Sequence, residues 1–294
     1  MALSPNRRYA AATLDGLTLR VWNLDNPQEA VDMQPGERMV FTGMAFSPDD
    51  RTLAAGNSQD ELLVFDAHSG KLLRRWASHP GRKQVDWTFA FSPDGEKLAT
   101  SRSINSIDLY DYSSGAWLGE INPPFLFDSA SWRWLEFSPS ADAILAAGDF
   151  GTGITVWNTN TFQLEQEILA SNASFLQDVE WDAGQDTVQV IHQGGQGSLL
   201  EQYQAVPEAR LISQAELPGE YQAKTGQGLW VTASFSSPLV NLYSIREGAS
   251  LAELTLPGDA FSTDFEVDQV AFNGQDLLVL FNGKLAVFRP AKNK

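Results

Sequence analysis

The chain has 294 residues, 43% of them hydrophobic and 11% aromatic, enough to bury a large core in one or two domains. Its 37 acidic residues against 20 basic ones leave a net charge of −17, a field that repels phosphate backbones and excludes general nucleic-acid binding. Cysteine is absent, which excludes disulfides, thiolate nucleophiles and cysteine-ligated metals.

In chain order, the first element is a turn at Leu3-Ser4-Pro5-Asn6. It leads into a small-residue strand, Tyr9-Ala-Ala-Ala-Thr13, and a second strand ending at Trp22. The same succession returns at Phe46-Ser47-Pro48-Asp49, Leu53-Ala-Ala-Gly-Asn57 and a strand ending at Phe65, followed by a polar turn, Asp66 to Gly70. A basic strip follows, Lys71, Arg74, Arg75, Arg82 and Lys83, which reads as a solvated strand edge that resists edge-to-edge pairing. The third copy runs Phe91-Ser92-Pro93-Asp94, Leu98-Ala-Thr-Ser-Arg102, a strand to Tyr110 and the turn Asp111 to Gly115. The fourth runs Phe137-Ser138-Pro139-Ser140, Leu145-Ala-Ala-Gly-Asp149 and a strand to Trp157. Later copies are worn. Val179-Glu180-Trp181-Asp182 replaces the Ser-Pro start, and hairpins end at Tyr203, Tyr243 and Phe288.

The terminal aromatics Trp22, Phe65, Tyr110, Trp157, Tyr203, Tyr243 and Phe288 step by 43, 45, 47, 46, 40 and 45 residues. Period-two alternation of β-branched and aromatic residues argues for strands, and the Ser-Pro and Gly-rich breaks argue for tight turns. Repeats of this length, each holding about four short strands, bury their apolar faces only by packing against one another in a ring. The expected fold is all-β: a single seven-bladed β-propeller of four-stranded antiparallel blades. The blades fall near residues 1–35, 36–77, 78–121, 122–169, 170–214, 215–256 and 257–294. The intervals between strands are too short for the helices of an α/β fold.

The order Phe-Ser-Pro-Asp, Leu-Ala-small-Gly, Val-Trp-Asn or Val-Phe-Asp, then Ser-Gly-Lys resembles the WD-repeat family, most clearly over residues 3–160. That resemblance implies a closed ring whose surfaces bind other proteins. The chain departs from the family pattern in lacking the Gly-His pair that opens each repeat. Asp15 and Asp60 alone approximate the family's turn aspartate, so its buried Asp-His-Ser-Trp network is not carried over. In this family the chain begins with the outer strand of the last blade. Here the last unit supplies three strands and the first begins almost at its Ser-Pro turn. The expectation is therefore either residues upstream of Met1 or a last blade of three strands.

Catalytic, cofactor and metal sites are not expected. His68, His79 and His192 fall in different blades with no shared-ligand spacing. The glycine-rich segments at 148–153 and 194–197 read as hairpin turns, because no helix follows to hold a phosphate. Asp49-Asp50 and Asp60-Glu61 read as turn residues. No run of apolar residues is long enough to cross a bilayer, and nothing in the chain addresses it to a compartment.

Two features stand out as partner-binding candidates. One is the loop Asn122 to Asp128, which sets Phe125, Leu126 and Phe127 beside two prolines; its alternative is folding back between blades. The other is the aromatic start of the inner strands, Trp87, Trp132, Arg133 and Trp134, with Trp76 nearby and positive charge from His79, Arg82 and Lys83; its alternative is core packing. The leading function is a non-catalytic scaffold that holds protein partners, alone or in a larger assembly. A ligand- or glycan-binding channel mouth and a regulatory or gating domain of a larger enzyme are the alternatives.

Overall fold

The computed structural model describes residues 1–14, 17–26, 28–77, 87–103, 106–122, 132–148, 153–168, 176–181, 187–193, 197–205, 209–218, 221–225, 229–233, 239–244, 249–255, 267–272, 277–281 and 284–288. Among these residues every regular element is a β-strand, and no helix is long and apolar enough to cross a membrane.

The strands form seven antiparallel sheets in chain order. Sheet one holds β1 (Ala2–Leu3), β2 (Tyr9–Leu14), β3 (Thr18–Asn23) and β4 (Ala30–Asp32). Sheet two holds β5 (Phe41–Phe46), β6 (Thr52–Asn57), β7 (Glu61–Asp66) and β8 (Leu72–Ala77). Sheet three holds β9 (Thr88–Phe91), β10 (Lys97–Ser103), β11 (Ser106–Asp111) and β12 (Trp117–Ile121). Sheet four holds β13 (Trp132–Phe137), β14 (Ala143–Gly148), β15 (Ile154–Asn158) and β16 (Leu164–Ile168). Sheet five holds β17 (Leu176–Trp181), β18 (Thr187–Gln193), β19 (Gly197–Gln204) and β20 (Arg210–Pro218). Sheet six holds β21 (Tyr221–Thr225), β22 (Leu229–Ala233), β23 (Leu239–Ser244) and β24 (Ala249–Thr255). Sheet seven has three strands, β25 (Val267–Phe272), β26 (Leu277–Phe281) and β27 (Lys284–Phe288).

Each first strand touches the first strand of the next sheet, from β1 and β5 through to β21 and β25, which places the first strands innermost. The ring closes where Leu3, Ala10 and Leu24 of sheet one pack with Leu278 and Val287 of sheet seven. The expected ring of blades is thus present, with the last blade three-stranded among the described residues.

The Ser-Pro repeat has a local cause. Ser4, Ser47, Ser92 and Ser138 are buried, and each hydroxyl accepts the N–H five residues on, from Tyr9, Thr52, Lys97 and Ala143 at 2.8–3.1 Å. The residue three after each serine, Arg7, Asp50, Gly95 or Ala141, takes a left-handed conformation and closes the turn onto the serine carbonyl. The second polar turn repeats as well. Asp66 Oδ1 accepts from the backbone of His68 and Ser69, Asp111 Oδ1 from Ser114, and Asn158 Oδ1 from Asn160 and Thr161.

These second turns clip each blade to the outer strand before it. Gly70 and Gly115 take left-handed φ, and a Cβ at Gly115 would strike the Trp76 indole of β8. At the next joint the sizes are exchanged. Phe162 takes the left-handed position, and its ring lies against Gly119 of β12, where a Cβ would come within 2.6 Å of it.

Candidate interaction site at the inner-strand mouth

The inner strands begin with a recurring irregularity. Between Trp132, which faces Gly148, and Trp134, which faces Ala147, the register skips Arg133, an extra residue in β13. The same bulge, at the same register, leaves Thr42, Gln177, Gln222 and Asp268 extra in sheets two, five, six and seven. A bulge re-aims a side chain and strengthens local twist, and here it recurs near the start of the first strand in five of the seven described sheets. All five are polar. Gln177 Oε1 accepts from Ser198 Oγ at 2.6 Å, whereas Thr42 Oγ1 is buried with no hydrogen-bond partner.

Arg133 is exposed, with its guanidinium 5.1 Å from the Trp134 ring centroid. Trp134 is partly buried against the core shared by blades four and five. The ring thus seats the cation against an aromatic face.

Trp87 has a different place. It is 4% exposed, its Nε1 donates to the Asn57 carbonyl at 3.1 Å, and it stacks on Phe89 at 5.4 Å between centroids. A Cβ at Gly43 would lie 2.0 Å from the Trp87 carbonyl oxygen, and one at Gly56 would lie 2.3 Å from its ring. Trp87 is therefore a core wedge between blades two and three, and it leaves the surface set because the facing glycines admit it to the interior. Trp76 joins the same core. Trp132 occupies the first position of β13. His79, Arg82, Lys83, Phe125, Leu126 and Phe127 lie outside the described residues.

The basic strip is more engaged than a solvated edge. Arg74 donates to the carbonyls of Tyr112 and Ser113 in the next blade and stands over the Trp76 and Tyr112 rings. Arg75 pairs with Glu37 and Glu61.

A buried polar group was not foreseen. His192 and Glu201 are both 0% exposed on facing strands of blade five. His192 Nε2 lies 3.2 Å from Glu201 Oε2, off the hydrogen-bonding direction, and Tyr203 donates its hydroxyl to the same carboxylate oxygen at 2.8 Å. Tyr203 belongs to the core shared with blade four, so this group sits at a joint and not at a surface. Among the described residues no cluster of three or more His, Asp or Glu could hold a metal ion.

No protein-family model matches the chain, and no curated protein matches it. Solved structures do. The β-propeller domain of Cps50 (Swd1) from Myceliophteria thermophila aligns with TM-score 0.73 at 12% identity, over 98% of this chain and 96% of that one. A chain of the mitotic checkpoint complex aligns with TM-score 0.71 at 14% identity, over 98% and 86%. Raptor from Chaetomium thermophilum aligns with TM-score 0.77 at 12% identity, over 99% of this chain and 28% of its own. Identities this low speak to the fold alone. The class is the β-propeller, and these neighbours are WD40 propellers.

Proposed function

We propose that the chain is a non-catalytic protein-interaction scaffold of the WD-repeat kind, and that a partner docks at the inner-strand mouth. The observation that carries this reading is Arg133, lifted out of the sheet by a bulge and stacked on Trp134. Arg and Trp are the side chains most enriched among residues that dominate binding energy. The neighbours support it in general terms, since one of them is part of a mitotic checkpoint complex. The candidate set is Trp132, Arg133 and Trp134; His79, Arg82, Lys83 and, as a separate loop, Phe125, Leu126 and Phe127 remain candidates from sequence.

The test is cross-linking mass spectrometry on extracts, comparing the native chain with Arg133→Glu. Arg133 is exposed, and circular dichroism with a thermal melt checks that the exchange keeps the fold. A partner cross-linked near residues 132–134 should lose about tenfold or more in affinity, the loss of a strong interface anchor. An unchanged set of cross-linked proteins would defeat the proposal.

A further inference from the structure

Apart from Val40, every exposed large apolar side chain among the described residues stands at the start of a fourth strand. They are Leu73 in β8, Trp117 and Leu118 in β12, Leu164 in β16, and Leu211 and Ile212 in β20. Fourth strands lie at the opposite end of each sheet from the innermost first strands, so these residues form an apolar arc on the outer circumference. Opposite the aromatic end of the third strand stand Trp117, Leu164 and Leu211 in blades three, four and five. The same position holds Ala30 in blade one and Ser250 in blade six, so the blade itself does not require a large apolar residue there.

Across blades three and four the arc is continuous. Leu118 adjoins Gly119, the Phe162 ring lies against Gly119, and Leu164 follows two residues later. Trp117 is held at its polar edge, where Nε1 donates to the buried Asp108 carboxylate at 3.0 Å, yet the residue stays 43% exposed. A large ring fixed in place offers apolar area at little cost in lost freedom, the property of an interface anchor. The two segments that carry this surface, 111–121 and 158–168, contain Asp111, Glu120, Glu165 and Glu167 and no Lys, Arg or His. Two cations reach their turns from neighbouring strands: Arg74 donates to the carbonyls of Tyr112 and Ser113, and Lys97 to Thr159 and Asn160. The local balance is acidic, like that of the whole chain. Each outer strand is also bulged here, at Leu118 and at Glu165. Bulges blunt an edge against an added strand, so this surface offers side chains and not a backbone ladder.

We infer that the circumference at blades three and four docks a cationic amphipathic helix of a partner protein. Its aliphatic stripe lies on Trp117, Leu118, Phe162 and Leu164, and its Lys or Arg residues lie beside Glu120 and Glu165. A helix presents aliphatic anchors every three to four residues and needs no free strand edge. The acidic surround attracts a cationic partner and repels anionic lipid. This rests on the reading of the chain as an interaction scaffold, but uses the outer strands and not the inner-strand mouth. Arg133→Glu leaves this binding intact, so the two sites fail separately.

The probe is a fluorescein-labelled synthetic helix of about 18 residues, leucine on one face and lysine on the other, added to the full chain. Fluorescence anisotropy gives Kd. A scrambled peptide of the same composition has no apolar stripe and should bind about tenfold or more weakly. Leu118→Ser with Leu164→Ser should weaken the amphipathic peptide by about tenfold or more. Glu165→Lys, at an exposed side chain, should weaken it by about threefold or more. Circular dichroism with a thermal melt checks that each variant keeps its fold. A photo-cross-linker on the leucine face should mark residues 111–121 and 158–168. The proposal is overturned by no binding, by equal binding of both peptides, by an unchanged Kd in the double variant, or by cross-links confined to other blades. It is also overturned if the double variant abolishes self-association of the chain or its binding to zwitterionic vesicles, which would assign the surface to a second copy or to lipid.

Discussion

The joint between blades two and three and the joint between blades four and five solve one packing problem with different chemistry. At the first, Trp87 fills the gap over Gly43 and Gly56, and Phe89, Phe91, Tyr112 and Trp76 complete an aromatic core. Arg74 and the contact between Thr52 Oγ1 and the Tyr112 hydroxyl at 2.5 Å close its margin. Burial raises the Tyr112 pKa above the ordinary tyrosine value, so the hydroxyl stays protonated there. At the second joint Leu145, Val156, Ile168, Val188 and Val190 pack with Trp181 and Tyr203, and His192 and Glu201 are buried on the same blade. Glu136 reaches across to accept the Trp181 backbone N–H at 2.9 Å. Size complementarity holds the first joint, whereas the second depends on buried polar groups finding one another. The first should therefore be sensitive to volume, and the second to the loss of one partner.

The largest expected effect follows from volume. Trp87→Ala should cost about 3–5 kcal/mol, at the upper end because glycine backbone on the facing strands cannot collapse into the space. Chemical denaturation measures it, and a loss below about 1 kcal/mol would show that the joint does not depend on the wedge.

The polar joint should behave otherwise. Glu201→Met alone leaves the Tyr203 hydroxyl without this acceptor, takes away the carboxylate beside His192, and should cost about 3 kcal/mol. The double exchange His192→Leu with Glu201→Met removes both members of the pair and should recover part of that loss, the Tyr203 hydroxyl still lacking this acceptor. A double-mutant cycle checks this; additive losses would mean that the two residues do not act as a unit.

The smallest effect distinguishes the second turns of blades three and four. Hydrogen bonds from the Ser114 hydroxyl, the Ser114 N–H and then Ser113 lower the Asp111 carboxyl from 3.8 to about 2. Its folded-state value is depressed, so its contribution is complete above the ordinary value and is lost as pH falls toward 2. Asn158 makes the equivalent turn in blade four without titrating. Carboxyl NMR titration should place Asp111 near 2, and Asp111→Asn should abolish the acid-dependent change at this turn alone. A midpoint near 3.8 would contradict the turn geometry.

The legibility of each element tracks the range of the interactions behind it. The Ser-Pro turns could be read directly, because each serine hydroxyl is satisfied within five residues. The aromatic ends of the third strands carried the beat of the ring for a similar reason, since strand length and turn chemistry are local. The inner-strand tryptophans could not be sorted from sequence. Trp87 and Trp134 both lie near the start of an inner strand, but Gly43 and Gly56, more than thirty residues before Trp87, admit it fully to the core, whereas Trp134 is only partly buried. The bulges were equally hidden, because an extra residue in one strand shows only against its partner's register.

By itself, the order of residues determined the number of sheets, their antiparallel strands and the chemistry of the turns, since these rest on spacing and on hydrogen bonds made close by. Tertiary structure decided which aromatics are interior, that His192 meets Glu201 nine residues away, that Arg133 is lifted onto Trp134, and that Phe162 lies against Gly119 of the blade before it. Those outcomes depend on what a neighbouring strand or blade places opposite, and contacts of that kind exist only once the ring has closed.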